Sequence, residues 1–373
     1  MGRLTSAQSI ALQYIEAVAS ERSAIALDSI AGIFEREAYA IEHYFDAIGA
    51  MRTHARIVLH FHPDRFGHET INVAESLLRE GVYRNQFETG LSGGSPTAYP
   101  GGERDEWECV LFGGAYHMAG VQASERPKYG ALELVRFSDG PTPRFGSCYF
   151  VLQGVMGRTS LTFMGSEDPR AVDRLGTITQ PHGVMAALLT EIENGGMASP
   201  PWPPFQAPTL GVQNLTVRRF CGLLQDLRKD RKEPSESELG RVLDTAIEAQ
   251  VHGSIELDRD VERLVADPAF ADTLVGETLR ELATKYAFPL QWHRGFRLPV
   301  REVPEDFRGP AVPLLAARID CPDGILDAVA IGRAAASFHR EPERWRDLGD
   351  HAQLLRYLRQ IWHVLVHYGR PGS

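Results

Sequence analysis

His60, His62, Pro63, Asp64 and Arg65 crowd into the six residues "HFHPDR", directly behind the apolar run 57–59. Three kinds of chemistry suit such a corner. An H-x-H pair at the end of a buried strand puts two imidazoles on one side of the chain, so His60 and His62 could hold a divalent metal in a metal-dependent hydrolase. Further ligands would come from His117, His182, His252 or His293, which fall in no recognisable metal motif, and a metallohydrolase barrel needs a regular strand–helix alternation that this chain lacks. A plainer reading makes the histidines a strand cap and Asp64 with Arg65 a local ion pair at a turn.

The third possibility is a site for a dinucleotide outside the Rossmann frame. No G-x-G-x-x-G follows a strand, and "GLSGGS" lacks the Gly-Lys-Ser/Thr ending of a P-loop. Breaking the bond between the nicotinamide and ribose of NAD develops positive charge on the sugar, which a nearby carboxylate stabilises. His62 or Arg65 could hold the ribose or the pyrophosphate, the planar guanidinium fork suiting the phosphates. "YRNQFETGLSGGS" offers Arg84, Phe87, Thr89 and Ser92 on an expected strand leading into a glycine loop. Tyr116 and Tyr129 offer aromatic faces, with half-buried sheet packing as the alternative for both. Glu248 and Gln250 stand two apart in "DTAIEAQVHG", sharing one face of a strand opposite Ile247, Ala249 and Val251. A face carrying Glu248, Gln250 and His252 is costly in a core, ordinary in solvent and purposeful in a cleft.

The elements that must position these residues read as α+β. Helical periodicity runs through residues 5–50, a short buried strand covers 57–61 and stops at Pro63, and "ETINVAESLLREGVY" is a helix ending at Gly81. Short β-like runs follow at 82–87, 108–112, 131–137, 148–152 and 161–164, separated by Gly- and Pro-rich turns. "QPHGVMAALLTEIENGG" is a second helix, and "MASPPWPPFQAPTLG" is a proline-rich crossing without regular structure. A helix start at Ser235 or Ser237 leads to a short helix ending near Leu243, then a strand over 246–251. Residues 259–288 read as helical, 289–300 as extended, and 324–367 as mostly helical. Three units are expected: a helical segment over 1–52, a sheet-rich core over 53–303, and a mostly helical region over 304–373.

Composition sets the limits. The 373 residues are 43% hydrophobic and 24% charged, enough to bury a sizeable core. A net charge of −10 argues against a nucleic-acid or anionic-membrane partner, and the run of basic residues from Arg218 to Lys232 is interrupted by Asp226 and Asp230, as on a solvated helix face. Four scattered cysteines contain no C-x-x-C pair and read as reduced. The first twenty residues lack a secretory signal and no apolar run reaches membrane-span length, so synthesis in a cytoplasm is expected, with export through a specialised secretion machine left open.

Taken in order, "HFHPDR", "YRNQFETGLSGGS", "ERPKYGAL", "RFGSCYF" and "EAQVHG" make residues 55–310 resemble a bacterial family of conserved domains of unknown function. That family is associated with the CteC-type effectors, PARP-like mono-ADP-ribosyltransferases that modify a threonine of ubiquitin. The resemblance implies a split mixed or antiparallel sheet, NAD as co-substrate, ubiquitin as partner, and transfer of ADP-ribose that blocks host ubiquitination. It also implies an Asp and a Glu as the catalytic pair, which fall on Glu248 and on Asp64, with Asp244 as the alternative aspartate. His62 and Arg65 match the first motif, Thr89 and Ser92 the second, and Tyr129 the aromatic position. Two departures bear on the acceptor and the second motif. No strict Ser-Thr-Ser follows Phe87, and Glu248-x-Gln250 is not the Glu-x-Glu or Gln-x-Glu of arginine-modifying enzymes. A non-catalytic module that binds ubiquitin or another partner is the remaining alternative.

Overall fold

A computed structural model describes residues 4–67, 71–91, 97–163, 172–198, 206–229, 240–241 and 245–372. Ser92, Asp244, the expected helix start at Ser235 or Ser237, and most of the proline-rich crossing lie outside those residues.

The described strands, in chain order, are β1 (Arg56–Phe61), β2 (Lys128–Glu133), β3 (Cys148–Leu152), β4 (Thr159–Phe163), β5 (Leu175–Thr177), β6 (Met197–Ala198), β7 (Gln206–Ala207), β8 (Ile247–Val251), β9 (Val261–Ala266), β10 (Leu290–Trp292), β11 (Leu298–Pro299) and β12 (Ile325–Leu326). Eight of them make one mixed sheet in the order β10-β9-β3-β1-β2-β8-β4-β5. Every pairing is antiparallel except β9 with β10, whose parallel crossover runs through the helix Leu274–Lys285. The class is α+β.

The sheet parts between β1 and β2. Their register covers only Arg56↔Glu133, Ile57↔Leu132 and Val58↔Ala131. Beyond Val58, the residues Leu59, His60 and Phe61 stay with β3. On the other side, Lys128, Tyr129 and Gly130 stay with β8. Gly130 sits at the branch: a Cβ there would lie 2.4 Å from Val58 O and 2.7 Å from Leu59 Cδ2, so only a hydrogen side chain fits this approach.

The expected N-terminal helices are Ser6–Arg36, closed at its start by a Thr5/Gln8 capping box, and Glu42–His54. The helix expected over 69–83 is Val73–Glu80, opened by an Asn72/Glu75 capping box and ended by Gly81. The C-terminal region is helical, with Ala328–Arg340 capped by Asp327 and His351–Tyr368 capped by Asp350. Its Ile331, Phe338, Ile361 and Leu365 share one core with Phe150, Leu152 and Leu264 of the sheet. Among the described residues no helix is long and apolar enough to cross a membrane.

Three local expectations are corrected. Residues 82–87 are not a strand: Val82 makes an isolated bridge to Glu256, and Asn85 then caps the one-turn helix Gln86–Thr89 by accepting from the backbone N–H groups of Phe87 and Glu88. Residues 108–112 belong mostly to the helix Glu103–Leu111, whose first turn carries Glu103, Asp105 and Glu106 against the positive end of its dipole. Within 259–288, residues 261–266 are β9 rather than helix, because Leu264 and Ala266 are fully buried and the segment bridges β3 and β10.

Candidate active site

Where β1 and β2 diverge, the sheet floors a cavity of about 560 Å³. β1 contributes His60 and Phe61, followed by His62, β2 contributes Lys128 to Ala131, and β8 contributes Glu248. The walls come from the helix Val73–Glu80, the 82–91 segment, the turn Pro143–Phe145 and the C-terminal helix His351–Tyr368.

Strand alternation aims Glu248. Ile247, Ala249 and Val251 are fully buried on the core face, leaving Glu248 and Gln250 on the other. Glu248 lies between Ala131 on β2 and Thr162 on β4, and Gln250 between Tyr129 and Ser160. A polar chain runs away from the cavity behind them. Gln250 Nε2 donates to Glu248 Oε1 at 3.0 Å and to Thr162 Oγ1 at 2.9 Å, while Gln250 Oε1 accepts from Ser160 Oγ at 3.0 Å. Ser160 Oγ also lies 3.0 Å from His252 Nε2, and His252 Nδ1 lies 2.5 Å from the Tyr116 hydroxyl. Since the serine proton is given to Gln250, His252 must donate from Nε2 and accept from Tyr116 at Nδ1. Burial, then Lys128 and Arg158, lowers the His252 pKa to about 3, which keeps the ring neutral as this pattern requires.

Tyr129 faces the cavity with its hydroxyl donating to Glu108 Oε1 at 2.7 Å, while Arg104 lies over its ring at 4.5 Å. Glu108 is completely buried and also accepts from Arg126 at 3.0 Å. Burial raises its pKa to about 7 against the pull of those two hydrogen bonds.

Of the expected site residues, His62, Arg65, Arg84, Thr89, Tyr129 and Glu248 line this cavity. Arg65 donates to Asp64 Oδ1 at 2.9 Å, Arg84 pairs with Glu80 at 2.8 Å, and Thr89 donates to Asn85 O at 3.0 Å. Two others do not reach it. Asp64, expected as a catalytic carboxylate, stands behind Arg65 against Gly332 of the helix Ala328–Arg340, where a Cβ would fall 1.5 Å from Asp64 Oδ2. Burial raises its pKa, with the Arg65 charge opposing. Phe87 turns away and lies under the Arg126 guanidinium at 4.3 Å.

The histidines offered as metal ligands have hydrogen-bond partners within the protein, His62 Nδ1 lying 3.3 Å from Ser147 Oγ. His60 Nδ1 bonds Gly146 O at 3.2 Å and His60 Nε2 accepts from Thr142 N at 3.3 Å, so both nitrogens are engaged. His117 pairs with Asp105, His182 with Tyr44, His252 with Ser160 and Tyr116, and His293 with Ser147 O. Among the described residues no group of three or more His, Cys, Asp or Glu is arranged to hold a metal ion.

Sequence reasoning missed the charge of the lining. Arg65, Arg84, Arg104, Lys128, Arg144, Arg356 and Arg359 are seven basic residues against two acidic ones, Glu88 and Glu248, so a chain of negative net charge presents a positive cavity. It also missed Ser160 and Thr162, although their period-two spacing in "TSLTF" matches that of Glu248 and Gln250. The helix carrying Arg356 and Arg359 was expected, but nothing local in its sequence says that it lines this cavity.

A family model described as "Protein of unknown function (DUF3626)" matches residues 56–368. The chain belongs to that family. The matched span begins at β1 and ends with the C-terminal helix, and so includes every cavity wall. No curated protein matches the chain.

Proposed function

We propose that this DUF3626 protein is an NAD-dependent mono-ADP-ribosyltransferase acting on a protein hydroxyl, with a threonine of ubiquitin as acceptor. The observation that carries the reading is Glu248 at the parting of the sheet, oriented by Gln250 and facing a cavity with a positive lining. The cavity volume of about 560 Å³ falls in the range of small-molecule sites, and the basic side chains suit a ligand rich in phosphate. The acceptor, its delivery from a bacterial cytoplasm into a host cell, and the resulting block of ubiquitination rest on the resemblance of the five sequence motifs.

NAD supplies an ADP-ribosyl group whose anomeric carbon becomes electrophilic as nicotinamide leaves. Glu248 has two tasks in this scheme. Its carboxylate stabilises positive charge developing on the ribose, and it accepts the proton released when the acceptor oxygen bonds to that carbon. Tyr129 presents an aromatic face held by Glu108 and Arg104. Arg65, fixed by Asp64, holds a phosphate or ribose oxygen from the β1 side. The division of labour is therefore one carboxylate in the cavity and one behind an arginine.

Intact-mass measurement of ubiquitin after incubation with NAD and the protein tests this reading. The expected result is a gain of a single ADP-ribose unit, lost in Glu248→Gln. An unchanged ubiquitin mass with folded protein would overturn ubiquitin as the acceptor, and retained transfer in Glu248→Gln would remove that residue from its role.

A further inference from the structure

Trp107 and Glu108 follow Arg104 by three and four residues on the helix Glu103–Leu111, so the three side chains lie on one face. That face meets Tyr129 of β2. The Tyr129 hydroxyl donates to Glu108 Oε1 at 2.7 Å, and the Trp107 and Tyr129 ring centroids lie 6.3 Å apart. The Arg104 guanidinium sits over both rings, 4.5 Å from the centroid of Tyr129 and 5.0 Å from that of Trp107. A planar cation is therefore held between two aromatic side chains. Arg104 and Tyr129 both line the cavity. Glu248 belongs to the same corner: in the β2–β8 register Tyr129 stands opposite Gln250 and Ala131 opposite Glu248, which makes Glu248 the diagonal neighbour of Tyr129 on one face of the sheet. Burial opposes the charge of Arg104, but Tyr129, Glu248 and Glu108 outweigh it and its pKa is raised.

We propose that Arg104 occupies a site for a planar organic cation, and that the nicotinamide ring of NAD, positively charged at its glycosylated nitrogen, displaces it to stack on Tyr129 beside Glu248. The proposal deepens the transferase reading, on which it rests for the identity of the ring. Guanidinium and the nicotinamide ring of NAD share what such a site can sense: each is a flat cation with delocalised charge, favoured by the electron-rich face of an aromatic ring and by a carboxylate beside it. A neutral ring answers the stacking and leaves the charge unanswered. Two cations repel one another at this distance, so the guanidinium must leave Tyr129 as the ring enters. Trp107 gives it a place to go, because rotation about the Arg104 side-chain bonds can keep the contact with Trp107 while freeing Tyr129. The resident arginine thus competes with the substrate. Apparent affinity is then the intrinsic one reduced by the fraction of molecules in which Arg104 has moved aside.

Calorimetric titration of the full chain with N-methylnicotinamidium, nicotinamide methylated on its ring nitrogen and lacking ribose and phosphate, tests the assignment against neutral nicotinamide. The wild-type chain should bind the cation more tightly than the neutral ring. Arg104→Ala should bind the cation about tenfold more tightly again, with KM for NAD lowered to a similar degree, because the competitor is gone. Methylguanidinium at millimolar concentration should compete with N-methylnicotinamidium in Arg104→Ala, replacing the missing side chain. Arg104 is partly exposed, and a melting curve checks that the variant is folded. Arg104→Gln, which removes the charge and keeps most of the side chain, should change affinity in the same direction where the alanine variant is unstable. Equal or weaker binding of N-methylnicotinamidium by a folded Arg104 variant, or no preference for the cation over nicotinamide, overturns the site. Weaker NAD binding by the variants assigns Arg104 to the phosphates and overturns it as well. Tighter N-methylnicotinamidium binding in the variants without ADP-ribose transfer to ubiquitin supports the cation site and counts against the transferase. Transfer to ubiquitin whose KM for NAD is indifferent to Arg104 does the reverse.

Discussion

Gln250 Nε2 donates to Glu248 Oε1 across 3.0 Å, two residues along the same strand, while Gln250 Oε1 is held by Ser160. The amide cannot turn without breaking its bonds to Ser160 and Thr162, and the carboxylate cannot turn without losing the amide. Gln250 is thus a positioning residue for the one proposed catalytic carboxylate in the cavity. Gln250→Leu is expected to lower kcat for ADP-ribose transfer by roughly 100-fold with KM for NAD nearly unchanged, the scale of loss that a misplaced reacting group produces. It should also cost about 1–3 kcal/mol in urea unfolding, because Thr162 loses a buried partner. An unaltered kcat in the folded variant would show that Glu248 needs no such support.

Asp64 provides the contrasting case. Its carboxyl is only 11% exposed, bonds Arg65 and abuts Gly332, so its effect on chemistry must pass through the arginine. Asp64→Asn should keep the packing, weaken the hold on Arg65 and raise KM for NAD about 3- to 10-fold, the scale of losing about 1 kcal/mol of binding, with kcat within about twofold. A collapse of kcat at unchanged KM would return Asp64 to direct catalysis.

The site was partly legible because its signals differ in range. Glu248 and Gln250 could be placed on one face from alternation alone, since a strand's period of two is local and the apolar partners Ile247, Ala249 and Val251 mark the other face. The "HFHPDR" corner was legible for the same reason, a buried run ended by proline. Local conflict defeated the reading at 82–87, where aromatic and branched residues suggested a strand while Asn85 and Glu88 formed a capping box that won the backbone. At 261–266 the pattern fits either state, and the decision belongs to β3 and β10, both distant in sequence. The basic residues of the C-terminal helix were illegible in principle: Arg356 and Arg359 read as the wet side of an amphipathic helix, and only its packing against the turn Pro143–Phe145 and the helix Ala328–Arg340 brings that side to a cavity.

Buried neutral histidines give the fold an acid limit. His60 and His252 have pKa values lowered to about 3, and His62 and His363 are pushed well below the usual 6.5; burial is the first cause in each case. The unfolded chain takes up protons at these groups as pH falls through about 6.5, whereas the folded chain does not until far lower, so the stability they carry is present above that pH and is lost below it. Glu108, raised to about 7, and Asp267, raised to about 6, act oppositely and soften the decline, because the folded state holds their protons first. Urea unfolding at intervals from pH 7.5 to 4.5 should show stability falling toward acid. His252→Gln should lower stability at neutral pH yet flatten the slope by about 1 kcal/mol per pH unit between about pH 6 and 4. Parallel slopes for the two proteins would mean that His252 titrates alike in both states.

Gly130 tests whether the parting of the sheet creates the cavity. At this residue β2 passes so close to β1 that a methyl group would meet Val58 O at 2.4 Å and Leu59 Cδ2 at 2.7 Å, and the first of these is backbone that no rotamer change can move. Gly130→Ala must therefore shift one strand, either unzipping the three-residue β1–β2 register or displacing Tyr129 and its partner Gln250 on β8. Overpacking of this kind costs about 1–3 kcal/mol, which urea unfolding would measure. Because Tyr129 and Glu248 move with β2 and β8 while Arg65 follows β1, the substitution should also weaken NAD binding in calorimetry by about tenfold, the scale of losing one well-placed polar contact, even where the protein remains folded. Gly154→Ala provides the control: nothing lies within 4 Å of its Cβ position, although its positive φ of 67° carries a backbone penalty of its own, so stability should fall while binding holds. Equal binding by both variants would mean that the two lips of the sheet need no fixed spacing, and the cavity would then owe its shape to the helices above it.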